Sequence, residues 1–284
     1  MIWRCRERVF DVSTRTLVMG IVNITPDSFS DGGRYAEPAA ALAHAKQLLA
    51  DGADLLDLGA ESTRPGSTPV PADEQWRRLA PVVEGLRRDV PDACLSVDTG
   101  LTEVARRALE LGCHVVNDIT ALRDRGMAEL VAKTGAGLVL MHMKGTPATM
   151  QNDPRYDDVV GEVMEFLVER VAMARAAGVA AECIAIDPGV GFGKAIEHSY
   201  ALVAHLDRLA AIGRPVLTGL SRKSFIGRLL DRPAGQRIEG SLAATAVAVL
   251  LGARIVRTHD VATTLPAVRI ADALRSARTG AAPA

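Results

Sequence analysis

The chain has 284 residues, 48% of them hydrophobic and 24% charged, with a formal net charge of −1. That length suits one barrel domain of about 250 residues with short extensions. The balanced charge argues against a nucleic-acid binder, so an acidic substrate would have to be met by local Arg and Lys. No apolar run reaches the ~18 residues of a membrane span, and the stretch around Arg4, Arg6, Glu7 and Arg8 has no signal-peptide character. No membrane association and a cytoplasmic location are expected. Cys5, Cys94, Cys113 and Cys183 show no C-x-x-C spacing and read as structural thiols, not as a disulfide framework.

Residues 1–16 read as a short polar lead-in or hairpin. From there one unit recurs: a short apolar run ends in polar residues, and a helical pattern follows. Run 17–22 ends in Asn23, and 55–58 runs into the turn Glu61-Ser62-Thr63-Arg64. Run 94–97 ends in Asp98, 115–116 in Asn117-Asp118, 138–141 in His142, and 183–186 in Asp187. Run 216–217 leads into Ser221-Arg222-Lys223, and 255–258, which contains Arg257, ends in His259-Asp260. Helical spacing covers 38–50, 71–90, 102–111, 124–133, 159–177, 199–212, 241–251 and 263–278. Gly52, Gly112, Gly135, Gly178, Gly213 and Gly252 stand at expected helix stops. Eight such units predict an α/β fold, a closed parallel (β/α)8 TIM barrel, as a single domain over 17–279 with a flexible tail at 280–284. The longer connections 24–34 and 62–70 follow strands on the face where barrel active sites lie, and read as functional loops.

Asp98, Asn117 and Asp187 end the third, fourth and sixth predicted strands. Any one alone could cap the next helix. Three together at barrel-strand ends predict a central pocket, where carboxylates and an amide pair with a flat, nitrogen-rich heterocycle. Lys223 can hold a ring carbonyl or carboxylate by charge. Arg257 and His259 alternate at the end of the last strand and share a face. Loops after strands seven and eight of such barrels often bind phosphate, so this pair suits a diphosphate, with Asn23 placing a metal nearby. Gly189-Val190-Gly191-Phe192-Gly193-Lys194 imitates a phosphate loop, but Pro188 occupies the first glycine position and no Ser or Thr follows Lys194. It reads as a loop whose glycines let backbone approach the ligand. No Cys cluster or His-Glu-x-x-His supports structural zinc.

With these residues in view, the chain is similar to bacterial dihydropteroate synthases over almost its whole length. The likeness is carried by the segments from Met19 to Gly33, Glu61-Ser62-Thr63-Arg64-Pro65-Gly66, Ser96-Val97-Asp98-Thr99 and Val116-Asn117-Asp118-Ile119. It continues in Met141-His142-Met143, the segment from Asp187 to Lys194, Ser221-Arg222-Lys223-Ser224 and Arg257-Thr258-His259-Asp260. The resemblance implies a transferase of folate synthesis that joins 6-hydroxymethyl-7,8-dihydropterin pyrophosphate to p-aminobenzoate and releases pyrophosphate. It implies that Asp98, Asn117, Asp187 and Lys223 hold the pterin, with Met141 and Phe192 near the ring. Asn23, Arg257 and His259 would handle the pyrophosphate, with Mg2+ at Asn23. Loops bearing Phe29 and Asp31, and Thr63, Arg64 and Pro65, would close over the site and form the p-aminobenzoate pocket with Ser224.

The chemistry expected of that constellation is a dissociative displacement, with the pyrophosphate substrate binding first. Asp31, Asp98 and Asp187 would stabilise the methylene cation, while Arg257 takes charge from the leaving group. The resemblance further implies a homodimer formed through helices away from the catalytic loops, and sulfonamide sensitivity, because no insertion stands beside Thr63-Arg64-Pro65-Gly66. Two rival readings fit less well. A corrinoid-type pterin methyltransferase would lack the 29–33 loop and Ser221-Arg222-Lys223. A catalytically silent pterin-binding paralogue would have lost loop or anion-site residues, yet Asp31, Arg64, Lys223, Arg257 and His259 all stand in place.

Overall fold

The computed structural model describes residues 1–25, 36–63 and 66–279. A hairpin comes first, β1 (Ile2–Cys5) and β2 (Arg8–Asp11). Eight parallel strands then close on themselves: β3 (Leu17–Asn23), β4 (Leu55–Gly59), β5 (Cys94–Asp98), β6 (Val115–Asp118), β7 (Gly137–Met141), β8 (Ile184–Asp187), β9 (Val216–Thr218) and β10 (Ala253–Thr258), with β10 returning beside β3. The helices between and after them are α1 (Ala36–Ala50), α2 (Ala72–Asp89), α3 (Thr102–Glu110), α4 (Met127–Thr134), α5 (Val159–Ala176), α6 (Ile196–Ala204), α7 (Leu206–Ala210), α8 (Ser224–Leu230), α9 (Ile238–Leu250) and α10 (Val261–Thr279). The predicted TIM barrel is the fold observed. Among the described residues no helix is long and apolar enough to cross a membrane.

The strands read as unbroken apolar runs because both faces are buried. Alternation sorts their side chains into two cores. Val18, Leu56, Leu58, Leu95, Val97, Val116, Leu138 and Ile186 pack outward against the helices. Leu17, Met19, Leu55, Cys94, Val115, Val139, Ala185, Leu217 and Ile255 fill the lower barrel. The inward register continues upward, so the carboxyl ends of the strands present polar groups to the interior. Strand pairing puts Asn23, Gly59, Asp98 and Asn117 on one rung, and Met141 beside Asp187.

Several local expectations need correction. The lead-in is a hairpin, but it is not merely polar. Trp3, Cys5 and Val12 are fully buried and join the lower core, and Trp3 Nε1 donates to the Cys183 carbonyl at 3.1 Å. Cys183 lies in a short 3-10 turn, not in a strand. The helix expected over 124–133 starts only at Met127, because Gly126 is left-handed at φ 85°. The pattern over 199–212 is two helices that part at His205, and α8 was not anticipated. The six expected stop glycines all take left-handed φ, from 66° at Gly135 to 117° at Gly252. All four cysteines are free and buried. The 280–284 tail lies outside the described residues.

Candidate active site

The centre of the site is a buried ion cluster. Arg257, from β10, donates through Nε to Asp57 Oδ2 at 2.6 Å and through Nη2 to Asp98 Oδ2 at 2.7 Å. Asp57 also accepts from Ser96 Oγ at 2.6 Å and from Asn117 Nδ2 at 2.9 Å. One carboxylate on β4 therefore orients three groups from β5, β6 and β10. A charge this deep persists only when paired and hydrogen-bonded, and Asp57 is fully buried. Sequence reading missed it. The available signal was a carboxylate inside the apolar run Leu55-Leu56-Asp57-Leu58, at an inward position. Burial raises the affinity of Asp98 for a proton; Arg257 opposes that rise, and Asp57 and Glu61 add to it.

A second group faces it across the barrel. Asp187 Oδ1 accepts from the Gly189 N–H at 2.7 Å. Burial raises this carboxyl as well, held back by that N–H and by Lys223. The Lys223 ammonium sits over the Phe192 ring, 4.0 Å from its centroid. Burial draws Lys223 down to about 8, and Asp187 resists. Arg222 just before it holds a left-handed φ of 59°, a strained choice for a non-glycine, and its guanidinium grips Asp260 at 3.0 and 2.5 Å. The turn that aims Lys223 is thus tied to the end of β10. Met141, Met143 and Met150 pack with Ile119 and Phe192 into an apolar wall beside these charges. A flat pocket with charged ends and a soft thioether side is suited to a polar heterocycle.

A family model for pterin binding enzymes matches residues 19–259. The dihydropteroate synthase of Neisseria meningitidis serogroup B is 49% identical over 265 residues, 90% of this chain and 92% of that protein. That of Escherichia coli K12 is 44% identical over 261 residues, 92% of each. The chain belongs to the dihydropteroate synthase family. Among solved structures, Yersinia pestis dihydropteroate synthase with a sulfonamide drug matches with a TM-score of 0.91 at 44% identity, covering 97% of this chain and 100% of that one. Xanthomonas albilineans dihydropteroate synthase with 4-aminobenzoic acid matches with a TM-score of 0.90 at 47% identity, covering 97% and 98%. The chain is accordingly a transferase of this family, and its reaction is the condensation of a dihydropterin pyrophosphate with p-aminobenzoate.

As a dihydropteroate synthase site, the constellation holds most of its expected members together. Asp98, Asn117 and Arg257 share one hydrogen-bonded cluster, while Asp187, Lys223, Phe192 and Met141 line the opposite side. His259 Nδ1 lies 3.0 Å from Ser221 Oγ, and burial followed by Arg257 and Arg222 pushes the ring down to about 4, so it is neutral at pH 7. Asn23 ends β3 on the Asp98 rung. Ser224 is exposed at the first turn of α8, and Thr63 is half-buried. Below Thr63, Glu61 accepts from Gln75 Nε2 at 2.8 Å and from the Val70 N–H at 3.2 Å, which anchors the base of that loop. Phe29, Asp31, Arg64 and Pro65 lie outside the described residues.

The glycine-rich loop works differently from expectation. A Cβ on Gly189 would collide with the His142 carbonyl, and one on Gly193 with the Lys144 carbonyl; both glycines have left-handed φ, 63° and 62°. They bring the loop's backbone against the backbone of His142 and Lys144. A Cβ on Gly191 would instead stand 3.5 Å from Lys223 Cδ.

Proposed function

We propose that the condensation runs as a dissociative displacement in this pocket. The methylene–oxygen bond of the dihydropterin pyrophosphate breaks, pyrophosphate departs with the electron pair, and the aniline nitrogen of p-aminobenzoate attacks the methylene cation and then loses a proton. One observation carries the reading: Asp57, Asp98 and Asp187 converge on Arg257 and Lys223 in the upper barrel, with Lys194 also acting on Asp187. Buried carboxylates at this depth stabilise a developing cation beside them more strongly than water would. Burial raises both Asp98 and Asp187, so each gains from a ring that presents N–H donors. Lys223 is placed to donate to the ring carbonyl. Neutral His259 and the remaining Arg257 N–H groups lie on the diphosphate side.

Mg2+ belongs to the proposal. Asn23 offers a hard amide oxygen, and bare backbone at Gly59 leaves a cradle beside it. A Cβ there would stand 3.6 Å from Asp98 Oδ2 and 3.9 Å from Asn23 Oδ1. Among the described residues no group of three or more acidic, His or Cys ligands forms a metal cage. That suits an ion held by one protein oxygen, water and substrate phosphates. When bound, it neutralises the diphosphate charge.

The p-aminobenzoate then enters over Thr63 and Ser224, after the pterin, and sulfonamides compete for the same place, as the drug complex of the Yersinia pestis relative suggests. Four buried free thiols suit the reducing cytoplasm.

The test is pyrophosphate release by purified protein given the dihydropterin pyrophosphate and Mg2+. Release that requires p-aminobenzoate, with dihydropteroate formed, supports the reading. Tight pterin binding without release would point to the silent paralogue.

A homodimer is the assembly we favour. Ile270, Ala273, Leu274 and Ala277 form an exposed apolar stripe along α10, and Val247 is exposed on α9 beside it. Ile270→Glu is expected to convert a dimer to a monomer in light scattering with turnover largely kept. A dimer that withstood it would place the interface elsewhere.

A further inference from the structure

Lys194 is 3% exposed and, among the described residues, hydrogen-bonds to no carboxylate, although Asp187 acts on it through space. Its ammonium meets three neutral acceptors: His142 Nδ1 at 2.9 Å, the Phe192 carbonyl at 2.9 Å and the His142 carbonyl at 3.3 Å. Three N–H groups find three acceptors. His142 can accept because burial, then Lys194 itself, pushes its ring down to about 3, which keeps it neutral. The ring is wedged edge-on against Phe166 of α5, with centroids 4.8 Å apart. So the ammonium ties the end of β7 to the loop after β8.

The rest of that loop is fastened from the same side. Gln151 Nε2 donates to the Gly191 carbonyl at 2.7 Å, and the Tyr156 hydroxyl donates to the Gly193 carbonyl at 2.7 Å. The carbonyls of Gly191, Phe192 and Gly193 are therefore each held by a side chain, the middle one by the Lys194 nitrogen, which burial draws down to about 7. Phe192 is the residue whose ring supports Lys223. All three hydrogen bonds of Lys194 go to His142 and Phe192, so its grip is on the loop that carries the ring.

We propose that Lys194 is a positioning residue for the pterin: by fixing the Phe192 carbonyl it sets the ring on which the Lys223 ammonium rests. The proposal rests on the pterin-pocket reading above. Removing a charged donor from two buried carbonyls and an imidazole costs about tenfold or more wherever their placement is read out. The effect should fall on binding, because no reacting atom loses a partner.

Steady-state kinetics on Lys194→Met, Phe192→Ala and the double variant make the test. Lys194→Met is expected to raise KM for dihydropterin pyrophosphate about tenfold, with kcat changed less than about twofold and KM for p-aminobenzoate unmoved. In the Phe192→Ala background the same change should add little, because both act through one ring. Full additivity would overturn the proposal, as would equal KM rises for both substrates. Should Lys194→Met fail to fold, His142→Gln removes only the ring acceptor. It should then raise the same KM more weakly, and an unchanged KM would overturn the proposal. A wild-type protein that bound no dihydropterin pyrophosphate would instead refute the pocket assignment, before any variant is made.

Discussion

Asp57→Asn is expected to fold and to lose about a hundred- to a thousandfold in kcat/KM, the scale seen when one preorganised polar contact is removed from an active site. The amide that replaces the carboxylate has one acceptor and one donor end. Three donors now converge on Asp57: Ser96 Oγ, Asn117 Nδ2 and Arg257 Nε. Ser96 Oγ can turn to accept from the new NH2, but Arg257 loses the charge it faced, and a guanidinium that shifts takes Asp98 with it through their 2.7 Å bond. The pterin face and the pyrophosphate face are disturbed together. Asp57→Ala goes further, leaving Arg257 with one carboxylate and two donors with none. Breaking a buried pair in this way costs about 3–5 kcal/mol of stability. Urea denaturation and steady-state rates on both variants check the pair of statements. An Asp57→Asn enzyme within about threefold of wild type in kcat/KM would remove Asp57 from the machinery.

Lys223→Met makes the enzyme worse and the protein more stable. The Lys223 ammonium sits in a site that desolvates it, and burial draws it to about 8 from the ordinary lysine value. Between about 8 and the unfolded value near 10.4 the unfolded chain binds the extra proton, so stability contributed through this group rises with pH across that window. Below about 8 the full cost of the buried charge is present. Methionine keeps the stem and deletes that cost. We expect about 1–3 kcal/mol gained at pH 7, shrinking towards nothing at pH 10. Lys194 titrates in an overlapping range, so the comparison that isolates Lys223 is wild type against Lys223→Met at each pH. Activity moves the other way. Wild-type kcat/KM for dihydropterin pyrophosphate should fall as pH rises through about 8, where the ammonium is lost, and the variant should be low throughout without that alkaline limb. A variant that is less stable at pH 7, or whose alkaline limb is the same as wild type's, contradicts the argument; a residual limb nearer 7 would belong to Lys194.

Most of the site could be read from sequence because it stands at strand ends, where a barrel must place polar groups. Asp98, Asn117, Asp187 and Arg257 each terminate or nearly terminate an apolar run. Asp57 escaped because it lies two residues below the end of its strand, where a reader expects only core. Lys194 escaped for a different reason: its glycine-rich context invites a phosphate-loop reading, and rejecting that reading leaves the lysine without a role. The hairpin's apolar side was obscured because Trp3 and Cys5 alternate with arginines over only four residues, too short for a pattern to declare itself. Helix α8 was masked by its own first residues, which carry the Lys223 motif, and the break between α6 and α7 has no Gly or Pro to announce it.

The hairpin that floors the barrel also sets an order of assembly. Trp3 binds a carbonyl 180 residues further on, Arg6 reaches the carbonyls of Leu109, Cys113 and Gly135, and the core they enter is completed by Leu217 and Ile255. Trp3, Cys5 and Val12 therefore have a complete seat only when strands as distant in sequence as β9 and β10 are in place. Catalytic geometry at one end of the vessel is thus assembled from strands that need not wait for the other end to be stoppered.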